Sequence, residues 1–231
     1  MTRGLTGAPE VARPRRRRPW WRRPWLIPLA LVLGGFLVWK LPPWLASDPQ
    51  HPPMPLNPKV PQHYAMMTLH ITFGVIIFVT VLLQLWPWLR RRHPKVHRIS
   101  GRIYVFAGML PAALLAFGLL WAGPLTWFGK VGTGIWATLS IATTLMGFVR
   151  ARQRRFGDHR RWMLYSFAMA TNVITSRAIA YLVLYLPVIG PKIISFTKFQ
   201  VEGPWVSWIL SLAAVYWWLH RRTPKRVPAG R

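Results

Sequence analysis

Tyr64–Leu89 reads YAMMTLHITFGVIIFVTVLLQLWPWL, and Arg90–Arg102, directly after it, reads RRRHPKVHRISGR. The first stretch carries no Asp, Glu, Lys or Arg over 26 residues, and the second places six Lys/Arg in 13. At a rise of about 1.5 Å per residue, roughly 20 apolar residues cross the hydrocarbon core of a bilayer. A run of this length, stopped by arginines, reads as a membrane span ending at a charged interface.

Five further runs share the pattern: Trp25–Leu41, Ile103–Trp121, Val131–Val149, Trp162–Val188 and Pro204–Leu219. The last is short at 16 residues and the fifth long at 27, which tilt accommodates. The fold class expected is therefore all-α, a polytopic bundle of six transmembrane helices. Charge placement sets its orientation. Of 31 Lys+Arg, eight lie before Trp25, six in Arg90–Arg102, six in Arg150–Arg161 and five after His220. These segments share one side of an even number of spans, so the positive-inside bias puts both termini in the cytoplasm. Most of the 15 Trp fall near span ends, where amphipathic rings anchor at the headgroups. The chain is expected to be a multi-pass protein of a cytoplasmic membrane.

The domain organisation follows. Residues 1–24 form a basic, Pro-rich tail expected to be disordered until it meets lipid. Residues 25–41 make the first span, and 42–63 a Pro-rich loop outside the cytoplasm. Residues 64–188 form a four-helix core of two hairpins, 189–219 an outer segment and the last span, and 220–231 a second basic tail. The hairpins look like a weak tandem repeat: Arg92 precedes His97-Arg98 as Arg154 precedes His159-Arg160, 62 residues apart. Basic loops converge easily, so duplication and chance both account for this.

A net charge of +27 would suit nucleic acid, but topology accounts for the asymmetry, and no nucleic-acid partner is expected. The partners expected are the bilayer itself, anionic lipids at the cytoplasmic face, and a membrane-protein partner for the Arg-rich tails. With no Cys, disulfides, thiolate metal sites and cysteine nucleophiles are excluded. The four acids, Glu10, Asp48, Asp158 and Glu202, all lie outside the spans. That excludes carboxylate-bound Mg–diphosphate chemistry, carboxylate proton relays and intramembrane aspartyl proteolysis. No phosphate-binding loop, HExxH or nucleophile elbow is present. Asp48, His51, Met54 and His63 share a Pro-rich loop, which seldom preorganises a metal site, so no metal is assigned.

The residues Leu69-His70, His97-Arg98-Ile99-Ser100-Gly101-Arg102-Ile103-Tyr104, Asp158-His159-Arg160-Arg161-Trp162-Met163 and Arg177 resemble a family of bacterial proteins integral to the membrane and classed as a domain of unknown function. The resemblance covers roughly residues 64–186. It implies the same membrane topology and marks the same polar residues, but no reaction.

Two constellations remain as candidate sites. His70 lies six residues into the second span, and Arg177 eleven residues before the end of the fifth. The two are expected to meet in an outer-half pocket, with Ser176 and Tyr181 alongside and His63 at the rim on the His70 face. Arg177 has no intramembrane acid. It either snorkels to the outer headgroups or holds an anionic or polar ligand such as a lipid head or a quinone. At the inner face, His97 and His159 stand at the starts of the third and fifth spans. They either cap helices or ligate a haem b, with Arg98, Arg102, Arg160 and Arg161 facing propionates or lipid. Gly101, Gly108 and Gly118 are expected to let the third helix approach a neighbour closely. Binding of a small ligand, haem redox chemistry and an accessory role stay open, and whether the chain is an enzyme is left undecided.

Overall fold

A computed structural model of the protein describes residues 26–46, 51–54, 56–123, 125–185 and 204–221. The first basic tail, the second beyond residue 221, the outer segment 189–203 and the acids Glu10, Asp48 and Glu202 lie outside them. The described residues contain helices and no strand. In chain order these are α1 (Leu26–Lys40), α2 (Pro42–Leu45), α3 (His63–Leu85), α4 (Pro87–Arg92), α5 (Pro94–Arg102), a π-helical segment (Ile103–Met109), α6 (Leu110–Ala122), α7 (Trp127–Arg152), α8 (Phe156–Ala170), α9 (Asn172–Tyr185) and α10 (Pro204–His220). Four continuous helices are long and apolar enough to cross a membrane: Leu26–Leu45, His63–Leu85, Pro94–Ala122 and Trp127–Arg152.

The helix boundaries have local causes. Pro42, Pro87 and Pro94 each sit in a first helical turn, where a missing N–H costs nothing. The Arg90–Arg102 segment is thereby helical, and the third expected span lies within a continuous helix that starts at Pro94. Inside that helix Pro111 cannot donate to the carbonyl one turn back, and its ring crowds that carbonyl. The preceding turn widens, and the Leu110 amide bonds Val105 O, five residues back. A break at Thr171 divides the fifth expected span into α8 and α9. Thr171 Oγ1 bonds Phe167 O and Ala168 O, and Thr175 Oγ1 bonds Thr171 O. Such side chains compete for the helix carbonyls, and the β-branched run Thr171, Val173, Ile174 and Thr175 has weak helix propensity. Trp136 of α7 uses the irregularity, donating its Nε1–H to Met169 O at 3.0 Å.

The helices pack through small residues. Extra Cβ atoms at Gly101, Gly108 and Gly118 would meet Gln84, Ile77 and Met66, so the neighbour these glycines admit is α3 along its whole length. Gly147 receives Met163, which seats α8 on α7, and Gly132 receives Trp205, which seats α10 on α7. Ser207 donates a hydrogen bond to Asn172 Oδ1, tying α10 to α9. At the centre, Tyr104 Oη and Thr144 Oγ1 both bond Ser166 Oγ, at 2.6 and 2.7 Å. All three side chains are buried. The first helix is the exception to this close packing, with Leu33 its one buried residue.

Candidate functional site

Between the end of α1 and the middle of α3, the helices form a partly open cavity of about 180 Å³. Its apolar wall includes Phe36, Phe78, Met109, Trp136 and Val173, and its polar groups include Lys40, His70 and Arg177. The helix irregularities border this space: Met109 closes the π segment, and Ala170 and Val173 flank the Thr171 break.

His70 is held by α6. Its Nδ1 lies 3.0 Å from Ala112 O, and a carbonyl only accepts, so Nδ1 carries the proton. A neutral His70 then keeps Nε2 as an acceptor. Arg177 comes from α9. One of its terminal nitrogens donates to Val173 O on its own helix at 3.2 Å, and its guanidinium carbon lies 5.8 Å from the Phe36 ring centre. Its Nε is buried with no hydrogen-bond partner. Among the described residues no carboxylate lines the cavity. Among the described residues the acid is Asp158, which pairs with Arg155 at 2.6 Å, beside His159 rather than at the cavity.

Lys40 is a lining residue that its place at a span end does not single out in the sequence. It ends α1 four residues after Phe36, so both face the cavity together. Its ammonium lies 3.7 Å from the Trp39 ring centre, and it is close enough to Arg177 for the two cations to repel. Of the remaining outer-half residues, Ser176 bonds Val173 O and Tyr181 packs its ring on Trp39; neither lines the cavity. His63 is fully buried, and its Nδ1 accepts the Asn57 amide at 3.0 Å, which pins the loop ahead of α3.

At the opposite end of the bundle, His97 and His159 are close enough to interact electrostatically. His159 Nδ1 bonds Gly147 O at 2.8 Å. His97 Nδ1 is buried without a partner, while its backbone carbonyl accepts Gln84 Nε2 at 2.7 Å. Arg98, Arg102, Arg160 and Arg161 are exposed, with Arg160 5.8 Å from the Trp218 ring centre. No group of three or more His, Asp or Glu suited to a metal ion occurs among the described residues.

No curated protein and no solved structure matches the chain. A family model described as a predicted membrane protein (DUF2306) matches residues 67–219, from the first third of α3 to the last turn of α10. The match spans more than half of the sequence and takes in His70, Arg177, His97 and His159: the chain belongs to the DUF2306 family of membrane proteins.

Proposed function

We propose that the chain is a six-span protein of a bacterial cytoplasmic membrane, with both termini inside, that binds a small amphiphilic ligand in an outer-half cavity around His70 and Arg177. The observation that carries the reading is Arg177: a guanidinium facing a cavity, its Nε buried and unpartnered, with no carboxylate among the described residues lining that space. Ionisable groups inside membrane bundles are costly and mark ligand or ion sites. The size fits a single ring or headgroup, since a cavity of about 150 Å³ admits benzene while drug-sized ligands need roughly 300 Å³ or more. A polar lipid head and a quinone ring both meet these demands.

Native mass spectrometry of detergent-purified protein tests this. Arg177→Leu is expected to remove a co-purified ligand that Arg177→Lys retains, and an identical ligand profile in all three proteins would refute the cavity reading. The topology has its own test. Because the chain lacks Cys, single-cysteine labelling has no background. Gln153→Cys and Arg92→Cys are expected to label from the cytoplasm only, and Asn57→Cys and Thr126→Cys from outside only.

A second reading, haem b between His97 and His159, is favoured by the His159 Nδ1 bond to Gly147 O. That bond orients the ring and leaves Nε2 as the ligating nitrogen, an arrangement common among metal-bound histidines. A Soret band that His97→Ala and His159→Ala each abolish would support it; a flat visible spectrum from haem-supplied, folded protein would remove it.

A further inference from the structure

We infer that the ligand of the Arg177 cavity is an anionic phosphoester head bearing a hydroxyl, carried by a membrane lipid, with Lys40 as its second cationic contact. The inference rests on the cavity reading above and narrows its ligand class. Lys40 and Arg177 line one cavity, near enough to repel each other, and no carboxylate among the described residues lines it with them. The Trp39 ring lies against Lys40, and Arg177 has the Phe36 ring and Val173 O, none of which carries a formal negative charge. A neutral quinone would leave two like charges facing one largely apolar cavity, whereas a phosphate oxyanion between them cancels the repulsion and accepts from both.

The other polar group asks for the opposite polarity. With Nδ1–H spent on Ala112 O, neutral His70 accepts at Nε2, which a hydroxyl on the same head satisfies. A head of the phosphoglycerol type carries both features. The lipid source follows from volume and from the wall. About 180 Å³ holds a head but not acyl chains. Phe36, Leu37 and Lys40 stand on α1, which packs lightly against α3 and buries only Leu33. Chains leaving beside α1 enter hydrocarbon directly, so nothing but the head need be enclosed.

The test is native mass spectrometry of the full chain in detergent, titrated with phosphatidylglycerol, phosphatidylcholine, a short-tailed benzoquinone and glycerol 3-phosphate. Besides Lys40→Gln, Gly74→Leu serves as a steric plug, because Gly74 lines the cavity and an added Cβ there meets nothing within 4 Å. Arg160→Gln with Arg161→Gln controls for lipid held by the inner-face arginines. Phosphatidylglycerol is expected to bind about tenfold tighter than phosphatidylcholine; Lys40→Gln is expected to weaken it about tenfold, less than the loss of a fully buried charge pair because Lys40 is only partly buried, and Gly74→Leu to weaken it about tenfold or more by filling the space. The control pair is expected to leave it unchanged. If the benzoquinone binds and Gly74→Leu abolishes it while phosphatidylglycerol ignores both cavity variants, the anionic class is overturned and the cavity reading stands. If no probe responds to Gly74→Leu, both fall. Glycerol 3-phosphate binding as tightly as the lipid would support the head chemistry and overturn the lipid source.

Discussion

Replacing Ser166 by Ala removes one hydroxyl that two others share. Tyr104 Oη at 2.6 Å and Thr144 Oγ1 at 2.7 Å both bond Ser166 Oγ, across the junction of the third transmembrane helix, α7 and α8. Tyr104 is 1% exposed and Thr144 and Ser166 are 0%, so water replaces none of these partners. An orphaned buried hydroxyl costs about 1–3 kcal/mol. Thr144 has a remedy, because a helical Thr can turn to the carbonyl one turn back on its own helix. The tyrosine has none, held at the end of a rigid ring. Ser166→Ala is therefore expected to cost about 2–3 kcal/mol, most of it from Tyr104. Tyr104→Phe leaves Ser166 bonded to Thr144 and loses one link, so it is expected to cost about 1 kcal/mol, near the mean of interhelical hydrogen bonds in bilayers. Two substitutions that each delete one hydroxyl oxygen thus differ at least about twofold in cost. Equilibrium unfolding in mixed micelles by SDS titration, followed by Trp fluorescence, measures both. Tyr104→Phe costing as much as Ser166→Ala would refute the assignment of Ser166 as the shared centre.

Gly132→Ala places a Cβ 2.2 Å from Trp205 Nε1, which is itself bonded to Phe128 O, and is expected to cost about 2 kcal/mol or more and to loosen α10. Gly118→Ala makes an equally short contact, 2.3 Å, but with Met66 Cε, the free end of a flexible side chain, so about 1 kcal/mol or less is expected by the same titration. Gln84→Leu removes the donor to His97 O and Ser100 Oγ, each at 2.7 Å, and is expected to speed hydrogen exchange across Pro94–Arg102 while leaving α7 unchanged. Asp158→Asn breaks a partly exposed pair with Arg155 in the first turn of α8, and a shift within about 1 kcal/mol is expected.

Much of the fold was legible because a bilayer leaves the backbone few options. Peptide groups in hydrocarbon must bond within their own segment, so uncharged runs such as Tyr64–Leu89 had to be helical. The Pro111 distortion and the Thr171 break were harder to place. A proline in an apolar run signals that a turn must yield, but whether it kinks or widens depends on the neighbour it faces. Here Gly108 lies against Ile77 just before Pro111, and the widened turn sits at that contact. Nothing in the local sequence marked Met169 O as the acceptor for Trp136, because that bond joins α7 to α8.

The same division runs through the candidate site. His70 and Arg177 stood out as polar residues inside apolar spans, where each is too costly to be incidental. Lys40 stood out less, since a base at a span end is ordinary, and the cavity walls Phe36, Phe78 and Trp136 were invisible among so many aromatic residues. The sequence by itself determined that this is an integral membrane protein of α-helices, in the DUF2306 family, with ionisable side chains set within the apolar runs. Only the tertiary structure decided that Lys40, His70 and Arg177 line one cavity while His63, Ser176 and Tyr181 do not. The reason is physical: in a bilayer the surroundings of a helix are as apolar as its packed face, so hydropathy fixes where a helix lies along the chain but not which way it is turned.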